Sequence, residues 1–438
     1  MYGYNGQIPG PLIRVKQGST IYVNFTNNLD METTVHWHGI RLKNRFDGVP
    51  NVTQNPVKPK EGFLYKLDFP DEGVYWYHPH VREDIQQELG LYGNIFVEPS
   101  SPKYFNNADK EEFIFLDDIK MAKTDVDVFN PNFARFALMG RFGNTMLANA
   151  ETDYRLNAKK GEIVRFYITD SSNTRIFNFS IENHKLKLIG SDSGKFEREI
   201  FADSVVLAPA ERYMFEVLFD NAGAFRLMHK TPARAYELGT VVVEDSNSNK
   251  EESSFGIVKE NKEIMQSMGK LRKYFDALPD YEIDLTVDMN VMQGMEHGMM
   301  AMNSKEQIEW EDEMPHMNAM STSKNTKWIL KDKKTGKENM DINYKVMVGD
   351  IKKIRFFNDP KSMHPMQHPM HLHGQRFLVL SIDGKQNNNL AWKDTVLVSA
   401  GKTVDILAQF TNPGEWMMHC HIAEHLESGM MASFTVSQ

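Results

Sequence analysis

The chain has 438 residues, 41% hydrophobic and 25% charged, a globular composition too long for one ordinary core, so two or three domains are expected. With 50 basic and 59 acidic residues the formal charge is −9, which argues against nucleic acid or an anionic membrane as the main partner. No apolar run reaches the roughly 18 residues needed to span a bilayer, and a single cysteine, Cys420, excludes an internal disulfide.

From the start, Met1 leads directly into "YGYNGQIPGPL", turn-rich chain of the kind that follows a first strand. A leader and an opening strand are therefore expected upstream of it. Short apolar alternations then dominate: "STIYVNFTN", "GFLYKLDF", "EIVRFYIT", "KTVDILAQF" and "MASFTV" all read as strands. Long amphipathic helices are few. Three blocks are expected, at 1–100, 111–245 and 276–438, separated by the polar stretches "VEPSSPKYFNNADKEE" and "VVVEDSNSNKEESS". The pattern predicts an all-β chain of three β-sandwiches joined by solvated connectors. One stretch breaks it. In "MNVMQGMEHGMMAMN", Met292, Met295, Met299 and Met302 share one face of a predicted helix.

Eight of the 15 histidines form four His-x-His pairs: His36 and His38, His78 and His80, His371 and His373, His419 and His421. On a strand, residues i and i+2 point the same way, so each pair aims two imidazoles at one point. Two pairs lie in the first block and two in the last, which implies a metal site between terminal domains. His184 and His229 of the middle block read as ordinary. If His419 and His421 face one way, Cys420 faces the other and serves a different site. A soft thiolate, two imidazoles and a weak axial methionine define a blue-copper electron-transfer centre. Its candidates are Cys420, His425 and Met430, with His368 as the second imidazole. Consecutive α-carbons are only ~3.8 Å apart, so one strand would connect both sites. Structural zinc wants a closed set of four ligands, which ten histidines, a cysteine and a methionine overfill. A cysteine nucleophile activated by histidine leaves the other eight histidines unexplained.

"HWHG", "HPH", "HPMHLHG" and "HCHIAEHLESGM", in that order, resemble the four copper signatures of the multicopper oxidases. "YNGQIPGPLIRV" and "DGVP" are also similar to that family, and the nearest subgroup is that of bacterial three-domain laccases and copper-efflux oxidases. The resemblance implies three cupredoxin-like Greek-key sandwiches, with a short Met-rich helical insertion in the third, and four copper ions. Type 1 copper would take His368, Cys420, His425 and Met430. Type 2 would take His36 and His371. The type 3 pair would take His38, His78, His80, His373, His419 and His421. It further implies four one-electron oxidations coupled to reduction of dioxygen to two waters, with phenolic donors or Cu(I) as reductants, and a periplasmic or extracellular location, with the cytoplasm as the alternative.

Protons must reach the oxygen site. Asp47 matches a family carboxylate beside type 2 copper. Position 426 departs from the family: a glutamate common in close bacterial relatives is Leu426 here. Glu424, Glu427 and Asp84 are the alternatives. Residues 289–320 hold nine of the 27 methionines, soft ligands suited to Cu(I), and an additional Cu(I) site is expected there. A copper-binding resistance protein without turnover, and a structural protein on the same fold, are the competing functions.

Overall fold

The computed structural model describes residues 1–246, 255–289 and 307–438. All five alternating segments are strands: Thr20–Thr26, Gly62–Asp68, Glu162–Asp170, Thr403–Gln409 and Met431–Ser437. Their period of two places one face on a core, as in Tyr154–Lys159, where buried and exposed residues strictly alternate. Helices among the described residues are short: Glu83–Gln86, Lys262–Gly269, Pro315–Met320 and Ala423–Glu427. The fold is a multi-domain arrangement of cupredoxin-like β-sandwiches.

The same antiparallel pair recurs three times. Thr20–Thr26 pairs with Gly62–Asp68, Glu162–Asp170 with Arg212–Phe219 and Ile351–Asn358 with Thr403–Gln409. In the second and third instances a further strand runs parallel along the other edge, Lys110–Ile119 and Tyr281–Met289. Among the described residues Thr20–Thr26 has no such neighbour.

The opposing sheets carry the histidines. In the last block the order is Asn343–Met347, Met431–Ser437, Gly414–Cys420, His368–Leu372, Thr395–Val398. The middle block repeats this order, with Phe177–Ile181, sequence FNFSI, where the last block has His368–Leu372. Phe177 and Phe179 are buried in the middle core, so this strand serves packing where the last block presents histidines. His184 and His229 lie apart from the four pairs, each with one nitrogen engaged and its buried Nε2 without a partner among the described residues. His184 Nδ1 lies 2.8 Å from the Glu182 carbonyl, and His229 accepts from the Asn178 N–H and stacks on Tyr236.

The connectors are partly exposed, as at residues 100–103 and at Glu244 and Asp245, but segments of them are packed. In the first, Phe105 packs on Val74, Phe96 and Tyr167, and Asn106 donates to Glu199. In the second, "VVVE" is the end of the strand Ala235–Glu244. Downstream, the helix Lys262–Gly269 inserts Met268 against Leu378, Leu380, Leu390 and Leu407. A few apolar side chains, each contributing about 1.5–3 kcal/mol when buried, are enough to dock polar chain. Of the methionine-rich stretch, Met292, Met295, Met299 and Met302 lie outside the described residues. Met289 ends a strand and Met317 and Met320 lie on the Pro315–Met320 helix.

Candidate metal centres

Strand register brings the histidine pairs together. His36 lies opposite His78, and His371 opposite His419. The two blocks then meet ring to ring. His36 stacks on His373 at 4.0 Å and His38 on His371 at 3.7 Å. His421 lies 5.0 Å from His38 and 5.1 Å from His78. His80 lies 5.2 Å from His373 and 5.3 Å from His419. The eight rings form one buried cluster between the terminal blocks.

Seven of these rings have one nitrogen engaged by an outer group. His36 Nδ1 donates to the Asp47 carbonyl, His78 Nδ1 to that of Pro79, His371 Nδ1 to that of Asp394 and His419 Nδ1 to that of Cys420, all at 2.7–2.8 Å. His373 Nδ1 lies 2.8 Å from Asp47 Oδ2 and His80 Nδ1 3.2 Å from Glu83 Oε1. His38 is reversed, with Nε2 3.0 Å from Asp394 Oδ1. The inward nitrogens of His36, His38, His78, His80 and His371, and both of His421, have no hydrogen-bond partner among the described residues. Leaving one such group unpaired costs about 1–3 kcal/mol. A convergent set is the signature of a metal site whose ligands are oriented from behind. Burial, reinforced by the neighbouring imidazoles, lowers the pKa of His38, His78, His80, His371, His373 and His421 well below the usual value and that of His419 to about 4. Neutral imidazole is the form that binds metal.

Cys420 points the other way, into the core of the last block. Its Sγ lies 3.5 Å from His368 Nδ1 and 3.8 Å from His425 Nδ1, and those nitrogens are 3.3 Å apart. The centre of such a triangle is about 2 Å from each corner, a metal–ligand distance. Met430 is buried in the same core, its carbonyl accepting from the Cys420 N–H. Burial pushes the Cys420 thiol up, so ligation must displace its proton. Trp328 covers both imidazoles, stacked on His425 at 4.1 Å and edge-on to His368 at 4.8 Å. The donor set of both sites fits copper.

The acids are less uniform. Asp47 sits at the cluster, bridging His36 through its backbone and His373 through its carboxylate. Glu424 is buried elsewhere, held by Asn173 and Thr174 at 3.1 Å, and burial, then Asp84, raises its pKa to about 7. Glu427 is partly exposed, 3.9 Å from Arg82, and its pKa is also raised to about 7, chiefly by burial. Asp84 is held by Arg82 at 2.8 Å. Leu426 packs with Val49 and Met417, so that position is apolar. Sequence reasoning missed Glu83, Asp394 and His364, a buried imidazole beside Trp328 with Nε2 unpartnered. Only the position of Glu83, three residues after His80, hinted at a role.

Family models described as multicopper oxidase match residues 1–102, 116–246 and 309–438. A multicopper oxidase of Staphylococcus epidermidis is 26% identical over 442 residues, covering 99% of this chain and 83% of that protein. Laccase-2 of Fomitopsis schrenkii is 28% identical over 463 residues, covering 97% and 84%. The crystal structure of a multicopper oxidase from Pseudomonas thermotolerans matches with a TM-score of 0.72 at 25% identity, covering 99% and 93%. The chain belongs to the multicopper oxidase family and is a laccase-like, copper-dependent oxidoreductase with dioxygen as acceptor.

Proposed function

We propose that this oxidase holds four copper ions, divided as His368, Cys420, His425 and Met430 at type 1, His36 and His371 at type 2, and His38, His78, His80, His373, His419 and His421 at the type 3 pair. Bound copper supplies one-electron oxidation of the donor at type 1 and reduction of dioxygen at the cluster. The chain supplies the route and the enclosure. The observation that carries this reading is the strand Gly414–Cys420, which ends with His419 and Cys420 on opposite faces and His421 immediately after. Asp47 orients His373 and is the candidate to hand a proton to the oxygen side, with Glu424 and Glu427, which lie near Asp84, as the further candidate acids. We further assign domains to 1–100, 111–245 and 276–438, and place the protein in the periplasm or outside the cell. No helix of the described residues is long and apolar enough to cross a membrane.

For the donor we favour Cu(I) and small, easily oxidised phenols. His368 and His425 are fully buried, so among the described residues neither imidazole presents an exposed edge to a bulky donor. Met366 is buried and Met363 exposed close to His368, and Met314 and Met317 pack on the same core. These thioethers, with the methionines of 290–306, support delivery of a soft cation.

Cys420→Ser tests the centre. The copper-loaded protein should bind about four coppers per chain, absorb strongly in the visible and take up oxygen with either donor. The variant should lose the visible band and turnover while remaining folded, because this thiol forms no disulfide. A blue, active variant overturns the assignment.

A further inference from the structure

The middle block offers no candidate ligand, yet one of its side chains reaches the histidine cluster. Arg212, on the strand Arg212–Phe219, is fully buried. Its Nη1 and Nη2 donate to the two carboxylate oxygens of Asp394 at 2.6 and 2.5 Å. Its Nε donates to the Val74 carbonyl at 3.0 Å, on the first-block strand that carries His78. Its backbone N–H and that of Asp394 both donate to the carboxylate of Asp192, at 3.0 and 3.2 Å. Arg212 therefore touches all three blocks.

Asp394 in turn addresses two histidines from opposite blocks. Its Oδ1 meets His38 Nε2, and its carbonyl accepts from His371 Nδ1. Thr395 Oγ1 donates to the same Oδ1 and lies 3.2 Å from both His38 Nε2 and His371 Nδ1. His38 is the ring that turns Nδ1, rather than Nε2, inward. An ionised carboxylate only accepts, so Nε2 must carry the proton and Nδ1 is left with its lone pair. The glycine of "HWHG" belongs to the same arrangement. Gly39 has φ +82, and a Cβ there would lie 2.3 Å from Asp394 Oδ2 and 3.0 Å from Arg212 Nη2.

We propose that Asp394 and Arg212 are a positioning pair: Arg212 fixes the Asp394 carboxylate, and Asp394 fixes the tautomer and orientation of His38, so that the middle domain governs one ligand of the oxygen-reducing cluster. This rests on His38 being a copper ligand. In this proposal neither residue is a copper ligand, although Asp394 lies close enough to His38 and His371 to share a metal with them.

Asp394→Asn tests it. Arg212 will hold the amide oxygen, turning the amide N–H₂ toward His38 Nε2. His38 is then driven to the tautomer with its proton on Nδ1. The expected result is loss of copper from the cluster, or of its near-ultraviolet and EPR signature, with oxygen uptake down about 10- to 100-fold. The visible type 1 band, and its anaerobic bleaching by donor, should be retained. Arg212→Lys keeps the buried charge but cannot grip both oxygens. It should show the same selective loss more weakly, and it carries the test if Asp394→Asn is not recovered folded. Normal cluster spectra and oxygen uptake within twofold of wild type in the variant tested overturn the proposal. So does equal loss of the type 1 band and cluster copper, which marks a merely structural pair. The underlying reading fails separately if wild-type protein binds no copper beyond type 1, and the proposal falls with it.

Discussion

At the level of single residues, the convergence of the histidine pairs and the opposite face of Cys420 were legible, because a spacing of two on a strand aims both side chains one way and alternation then assigns faces. Met430 and His425 followed from short offsets to the thiol. Asp394, Glu83 and Arg212 were not legible. Asp394 meets a ring 356 positions away, and an isolated acid or arginine in a strand or turn carries no periodic signal. Asp47 was found through its match to the family alone. Glu424 allows a quantitative statement. Its folded-state pKa of about 7 lies above its ordinary 4.5, so folding favours the protonated form. The stabilisation this provides is complete below about pH 4.5 and is lost as pH rises through 7. In copper-free protein, Glu424→Gln, which cannot ionise, should therefore gain on wild type between pH 4.5 and 7. The gain is about 3 kcal/mol at order of magnitude, with no further change above pH 8. Urea midpoints measured across that range check it, and parallel pH profiles for the two proteins would refute it.

Elements show a second boundary of legibility. Alternating strands were predicted within a residue or two, since burial of one face dictates the pattern. Docking of irregular chain was not predicted, because it hangs on a few side chains. The cover over the Cys420, His368 and His425 site is an example. The middle-block segment 134–142 contributes Leu138, Met139 and Phe142 to the core of the last block. Asn318, on the helix Pro315–Met320, clasps it, accepting from the Met139 N–H at 3.1 Å and donating to the Gly140 carbonyl at 2.9 Å. Trp328 Nε1 donates to the Ala137 carbonyl at 2.7 Å. Asn318→Ala strands two buried backbone groups, a cost of about 1–3 kcal/mol for each. Hydrogen exchange at Met139 should quicken and the melting temperature should fall. Unchanged exchange would show that the clasp is idle. Because residues 314–321 do this structural work, the methionine-rich stretch is best tested by replacing 290–306 alone with a Gly/Ser linker. Cu(I) oxidation is expected to drop while phenol oxidation stays equal or rises. Parallel loss of both, at unchanged copper content, would mean a plain laccase.

For the whole molecule, sequence punctuation suggested three blocks but not how they sit together. The split of the histidines between the ends of the chain was the one clue, and the packing of His36 on His373 and His38 on His371 bears it out. Copper held by both blocks binds only the assembled state, so loading is expected to raise the melting temperature. Each site contributes about 2.7 kcal/mol at a hundredfold excess over Kd. Equal melting temperatures with and without copper would contradict a bridging cluster. The strand ending at Cys420 has another consequence. If the terminal blocks breathe apart, four histidines leave four others, and the oxygen chamber opens. Cys420 nevertheless stays bonded through the main chain to His419 and His421, because that link lies within one strand and its following residue. If copper occupies both sites as proposed, access to the cluster would depend on a contact between bodies, and the link between the sites on a covalent thread that no such opening can cut.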